Sequence, residues 1–172
     1  MASPNDVRTH ADPVLEFRSV AFAYDTEPVL EDITFAVQRG DFTAILGPNG
    51  GGKTSLLRLA MGLERPTSGS LLLFGEATDK LRTWGRVSYV PQMAEGVQSG
   101  FPATVEEVVA QGLYRGFSPL AFWRRSNRAV VLQALDTVGL ADLGKRRISA
   151  MSVGQQQRAL IARALVRESE LL

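Results

Sequence analysis

From Val14 to Tyr24 apolar and polar residues alternate, the period of a strand with one buried face. Asp25-Thr26-Glu27-Pro28 reads as a turn, and Val29 to Val37 as a second strand closed by Gln38-Arg39-Gly40. Asp41-Phe42-Thr43-Ala44-Ile45-Leu46 is a short apolar, partly β-branched run, which predicts a buried strand. Ser55 to Met61 is rich in helix formers and stops near Gly62. A turn over Arg65 to Gly69 leads to a strand from Ser70 to Phe74. Arg86 to Val90 predicts another strand, closed by Pro91-Gln92. Beyond Met93 the period changes. Thr104 to Gly112 opens on a threonine and carries Val105, Val108, Val109 and Leu113 at helical spacing. Ser126 to Val138 predicts a helix with Val130, Val131, Leu135 and Val138 on one side, stopped by Gly139. Between these helices, Gly116 to Asn127 is a basic-aromatic loop containing Phe117, Phe122, Trp123, Arg124 and Arg125. A last helix opens at Met151-Ser152 and runs through Leu165. A strand-rich first half followed by helices predicts an α/β chain.

Composition narrows the function classes. At 172 residues the chain is long enough for one domain with a real core. Its formal net charge is +1 and its Lys and Arg are scattered, so no nucleic-acid stripe or polybasic membrane segment is present. Cysteine is absent, which rules out disulfides and thiolate metal sites. Residues 1–13 read as a disordered leader rather than a secretory signal, because no apolar core follows the start. No apolar run is long enough to cross a bilayer, so any membrane association is expected to go through a partner.

The strongest chemical signal is Gly47-Pro48-Asn49-Gly50-Gly51-Gly52-Lys53-Thr54, which fits G-x-x-x-x-G-K-[ST]. A glycine-rich turn lets successive backbone N–H groups point inward and cradle phosphate oxygens. Lys53 would bring a positive charge to the β- and γ-phosphates, and the Thr54 hydroxyl would ligate Mg²⁺. Ser55 follows at the start of the helix, whose positive dipole end lies beneath the anion. The expected order of strand, glycine loop and helix is the context this motif requires.

A second constellation is Met151-Ser152-Val153-Gly154-Gln155-Gln156-Gln157-Arg158. Ser152 is a natural N-cap, and Gly154 leaves backbone N–H groups open to an anion. The three glutamines could equally form an exposed helix face. With these residues the chain resembles the ATP-binding subunit of ABC transporters, whose signature motif is L-S-G-G-Q. The resemblance covers nearly the whole chain from Val14 onward and implies a P-loop NTPase core, its sheet incomplete here, with an ABC-type helical subdomain. It implies a core over 14–92, the helical subdomain over 93–150, and the signature helix over 151–172. It implies that Tyr24 stacks on adenine, that Gly47 to Thr54 hold ATP, and that Gln92 is the Q-loop glutamine touching Mg²⁺ or the attacking water. Ser152, Val153, Gly154 and Gln155 would contact the γ-phosphate of ATP held by a second ATP-binding subunit in a head-to-tail dimer. A transmembrane permease and an extracytoplasmic metal-binding receptor would complete the system, with this subunit cytoplasmic and peripheral on the inner face of the cell membrane.

Two departures qualify that picture. Val153 stands where the family has the first signature glycine, and a β-branched side chain there crowds a site built for close phosphate approach. The resemblance also implies an apolar strand ending in Asp-Glu, the Walker B pair, and a later switch histidine. None is present: the sequence ends at Leu171-Leu172, which reads as the opening of that strand, and the only histidine is His10. These 172 residues are therefore expected to bind nucleotide poorly, to hydrolyse it hardly at all, and to leave apolar sheet surface uncovered. Phe101 to Tyr114 looks like the same region in bacterial importers of metal ions and iron chelates. Phe122-Trp123-Arg124-Arg125 and the glutamine run lean towards the zinc/manganese group. A non-enzymatic nucleotide-binding or regulatory protein remains an alternative. ABC-type ATPases of translation or DNA repair are a further one, although the chain has neither sustained heptads nor cysteines.

Overall fold

The structure, a computed structural model, describes residues 13–81, 84–91, 102–113, 125–167 and 169–172. Gln92, Phe101, Tyr114, the loop residues Phe117 to Arg124 and the leader over 1–12 lie outside the described residues. The chain forms two compact units, one through Trp84 and one from Gly85.

The first unit is built on β1 (Leu15–Tyr24), β2 (Glu27–Val37), β3 (Ser68–Leu73) and β4 (Glu76–Ala77), in the order β2-β1-β3-β4. Every neighbouring pair is antiparallel. The alternation seen in the sequence places Leu15, Phe17, Val20 and Phe22 of β1 and Leu71 and Leu73 of β3 in the core. The alternation is not continuous. The pairing slips between Phe17 and Val20 and again between Val20 and Phe22, where Ser19 and Asp32 take φ of 46°. These bulges return Val20 and Phe22 to the buried face after Arg18-Ser19 would have thrown them out of phase. Phe17 stacks on Phe35 across the β1–β2 pair at 4.7 Å between ring centroids. The expected turn over residues 25–28 is shorter than its sequence suggested: Glu27 and Pro28 already belong to β2, a hairpin-edge position that tolerates proline.

Helix α1 (Lys53–Ala60) buries Ser55, Leu56, Leu59 and Ala60. It ends in a Schellman arrangement, Gly62 N–H donating to Leu59 C=O and Leu63 N–H to Arg58 C=O, both at 2.9 Å. The expected strand Asp41–Leu46 does not form. That run has no regular secondary structure, and Phe42 and Leu46 are 99% and 90% exposed. An apolar run gains strand geometry from a ladder and from burial, and no described strand of its unit pairs with it.

The second unit is helical. Helix α2 (Val105–Ala110) starts at a capping box: Thr104 Oγ1 accepts from Glu107 N–H at 3.3 Å, and Glu107 Oε2 accepts from Thr104 N–H at 2.7 Å. Helix α3 (Arg125–Thr137) ends at Gly139, with Leu140 N–H closing onto Leu135 C=O at 2.8 Å. Helix α4 (Val153–Leu165) packs its Ala159, Leu160 and Ala162 against Val105, Val109, Leu135, Leu140 and Ile148 in one core. Val131, Leu135 and Val138 face this core as expected, but Val130 is 40% exposed. One residue beside a buried valine on a helix turns about 100° away from it, so Val130 and Val131 cannot share one narrow stripe.

The expected strand over 86–90 is also absent. Trp84–Arg86 make a 3₁₀ turn, and only Val87 forms a bridge, parallel to Leu171. Ser88 N–H donates to Leu171 C=O at 2.9 Å, and Arg86 clasps the Glu170 carboxylate through Nε and Nη2. Residues 85–91 cluster with the second unit through these contacts. One bridge pair is the beginning of a parallel ladder, not a strand.

Candidate functional site

The glycine loop is held by its own backbone. Gly51 N–H donates to Pro48 C=O at 3.1 Å, and Gly50 and Gly52 take φ of 80° and 75°. Gly52 caps α1 in the left-handed conformation with no side-chain hydrogen bond. A side chain at Gly52 fails twice. The φ is unfavourable for any residue with a Cβ, and a Cβ there would sit 2.7 Å from Leu30 Cδ2 and 3.1 Å from the Val29 carbonyl. Contact with β2 therefore sets where the loop turns into the helix.

Lys53 lies across this loop. Its Nζ donates to the carbonyls of Gly47 at 3.0 Å and Pro48 at 2.6 Å. The ammonium thus folds back onto the carbonyls of its own loop. Gly47 to Gly51 and Thr54 are exposed, Lys53 is half-buried, and Ser55 is buried in α1. The N–H groups of the first helical turn have no partner within a helix, the kind of donor set that suits an anion. The exposed Thr54 hydroxyl, at the second position of α1, is a hard oxygen donor of the kind Mg²⁺ takes. Among the described residues no cluster of three His, Cys, Asp or Glu could hold a metal ion by itself.

Tyr24 ends β1, is 43% exposed and meets Phe22 edge-on at 4.8 Å. It pairs with Glu27, two residues before the Val29 against which Gly52 packs. The hairpin end that carries Tyr24 therefore belongs to the side of the sheet that seats the glycine loop. Gln92 lies outside the described residues.

The signature turn is built differently. Ser152 Oγ accepts from Gln155 N–H at 3.3 Å while Gln155 Oε1 accepts from Ser152 N–H at 3.0 Å, a second capping box. Ser152, Val153 and Gly154 are exposed, and Val153 is 82% so. A Cβ at Gly154 would meet nothing within 4 Å, so that position is open to approach. The three glutamines are not an exposed face. All three are half-buried and hydrogen-bonded through their side chains. The S-x-x-Q spacing carried the capping signal for Gln155, whereas nothing local marked the partners of Gln156 and Gln157. A cavity of about 490 Å³ beside α3 is lined by Gly112, Val130, Thr137 and Arg167 among others, and includes no residue of either motif.

A glycine turn seated on β2 and feeding a helix N-terminus, with a lysine folded over it, defines a phosphate-loop nucleotide-binding fold, here without the strand the motif calls for directly before the loop. A capped M-S-V-G-Q turn in the second unit narrows the class further. The chain belongs to the ABC transporter family, whose model matches residues 30–172. It is 40% identical over 159 residues to the zinc uptake system ATP-binding protein ZurA of Listeria innocua, covering 92% of this chain and 62% of that protein. It is 37% identical over 157 residues to the manganese transport system ATP-binding protein MntB of Bacillus subtilis, covering 91% and 62%. Among solved structures, cbiO1 of Clostridium perfringens, part of the ABC transporter complex cbiONQ, superposes with a TM-score of 0.76 at 29% identity, covering 92% of this chain and 63% of that one. The chain thus spans about three fifths of the length of these relatives, 62% of each curated one.

Proposed function

We propose that this chain is the nucleotide-binding part of an ATP-driven importer of a divalent metal ion, zinc or manganese, or of a metal chelate. The observation that carries the reading is the glycine loop with Lys53 Nζ laid over the Gly47 and Pro48 carbonyls. When a triphosphate enters, Lys53 exchanges those two carbonyls for β- and γ-phosphate oxygens. The backbone N–H groups of Gly50, Gly52, Lys53 and Thr54 then supply the rest of the cradle. Thr54 and Gln92 would hold Mg²⁺, which when bound neutralises charge on the β- and γ-phosphates. Tyr24 offers a π-face to adenine from the hairpin end. Ser152, Val153, Gly154 and Gln155 serve a nucleotide in an opposing subunit. Their turn is exposed, and Gly154 is open to approach.

The zinc and manganese assignment is supported by the relatives named above. Association with a permease on the cytoplasmic face of the membrane follows from the same reading. No described helix is long and apolar enough to cross a bilayer. The Walker B carboxylates and switch histidine that hydrolysis needs are not among the 172 residues, so turnover is proposed for the whole protein. Titration of the full-length protein with a fluorescent ATP analogue tests the site. Lys53→Ala is expected to weaken binding and turnover about 100-fold, the scale of removing one preorganised charged donor, with an unchanged melting temperature. Equal ATP affinity in the two proteins sinks the reading. Zinc against manganese uptake by cells carrying the whole system assigns the cargo.

A further inference from the structure

Every polar group of Ser152 but one is already committed. Its N–H donates to Gln155 Oε1 at 3.0 Å, and its Oγ accepts from Gln155 N–H at 3.3 Å. Its C=O accepts the first helical bond of α4, from Gln156 N–H at 2.9 Å. Only the hydroxyl proton has no partner among the described residues. Because Oγ meets the Gln155 N–H on one side, that proton is left to point away from it.

The peptide between Met151 and Ser152 carries this side chain, and it is gripped from both sides. Gln155 takes its N–H, and Gln156 Nε2 donates to its carbonyl, that of Met151, at 3.3 Å. The same Nε2 donates to the Ile148 carbonyl at 3.2 Å, which also accepts from Met151 N–H at 3.1 Å. Two acceptors at one end of an amide require its nitrogen there, so the backbone settles which way the half-buried Gln156 side chain turns. The capping box ties Ser152 to α4. Gln156 ties the residue before it to the same helix, while the Met151 side chain is buried in the core with Ile148 and Leu160.

We propose that Gln156 is a positioning residue for the Ser152 hydroxyl: by holding the Met151 carbonyl it fixes the peptide plane from which Ser152 projects, and so aims the one uncommitted proton of that residue at the phosphate of the opposing subunit's nucleotide. The inference rests on the role proposed above for Ser152. Gln156 touches no nucleotide itself, since its side chain is turned back toward Ile148.

Variants of the full-length protein test this. Gln156→Met keeps the length of the side chain and has no proton to give, whereas Gln156→Arg offers several from a planar fork. Without nucleotide, amide exchange at Met151 and Ser152 is expected to quicken about fivefold in Gln156→Met, the worth of one ordinary hydrogen bond. Exchange in α2 and α3 stays as in the wild type. With ATP, kcat falls by a similar factor at unchanged KM, and Gln156→Arg restores both readings. The same change is then made in a Ser152→Ala background. Residues that act through one group stop adding there, so Gln156→Met is expected to lower kcat no further. Unchanged exchange at Met151 and Ser152, or an equal rise throughout α2 and α3, overturns the brace. An undiminished kcat in Gln156→Met, or the same fall with and without the Ser152 hydroxyl, overturns the positioning role. A Ser152→Ala protein with wild-type kcat overturns the reading of the signature turn instead, while the nucleotide-free exchange still decides the brace.

Discussion

The glycine loop and the signature turn both open onto a helix N-terminus, and they are held by opposite means. At the glycine loop the cap is a left-handed glycine without a side-chain hydrogen bond. Backbone conformation and the contact with Val29 and Leu30 do the holding. At the signature turn, Ser152 and Gln155 occupy each other's backbone N–H groups, Gln156 fastens the neighbouring carbonyls of Ile148 and Met151, and Gln157 fastens the distant Pro91 carbonyl. The difference follows from what each end has to offer. A loop that wraps a triphosphate needs most of its backbone donors unspent, as here all but that of Gly51 on Pro48, and its walls free of side chains. A turn proposed to meet a phosphate only through its outermost residues can commit two donors to its own rigidity and still present Val153 and Gly154.

The contrast can be broken most forcefully at Gly52. Gly52→Val is expected to cost about 2–3 kcal/mol, since it adds backbone strain to a clash with Leu30. Chemical denaturation reads that cost, and loss of ATP binding accompanies it. A midpoint equal to wild type removes the claim that backbone geometry holds the loop. Ser152→Ala is next, at about 1 kcal/mol for the lost cap. The thermal melt should show it, because the signature turn relies on the side chain that the glycine loop does without. Val153→Gly has a smaller structural effect, about 0.5–1 kcal/mol of lost helix stability. Its signature is functional: ATP turnover of the full-length protein should rise, and an unchanged rate removes Val153 as an obstacle to phosphate approach.

The smallest effect concerns the Arg18–Glu16 pair on β1, at 2.7 Å. The Arg18 guanidinium, chiefly through its hydrogen bond, holds the Glu16 carboxyl below its ordinary value. A depressed carboxyl stabilises the folded state above its unfolded pKa and loses that contribution as pH falls through the folded one. The loss therefore lies below pH 4.5. The pair is solvent-exposed, so Glu16→Gln should leave the melting temperature at pH 7 within error and flatten only the acid limb. A clear drop at neutral pH would give the surface pair a weight that screening denies it.

Much of this was legible from local signals. The hairpin, β3, the four described α-helices after the glycine loop and the caps at Thr104 and Ser152 follow from alternation, helical spacing and short polar motifs. The motif Gly47 to Thr54 identified its own chemistry because glycine spacing, lysine and threonine are each required by phosphate geometry. Asp41–Leu46 and Arg86–Val90 were not decidable in this way. Their β-branched apolar character is a preference, and a strand exists only where another supplies the ladder.

The sequence by itself determined the phosphate loop, the capped signature turn and the membership of the family, because each is written within a few consecutive residues. The tertiary structure alone decided the seat of Gly52 on β2, the bulges that restore the phase of β1, and the reach of Gln157 to Pro91. Those depend on residues brought together from distant parts of the chain, and no periodicity within a short window encodes which carbonyl a glutamine will find.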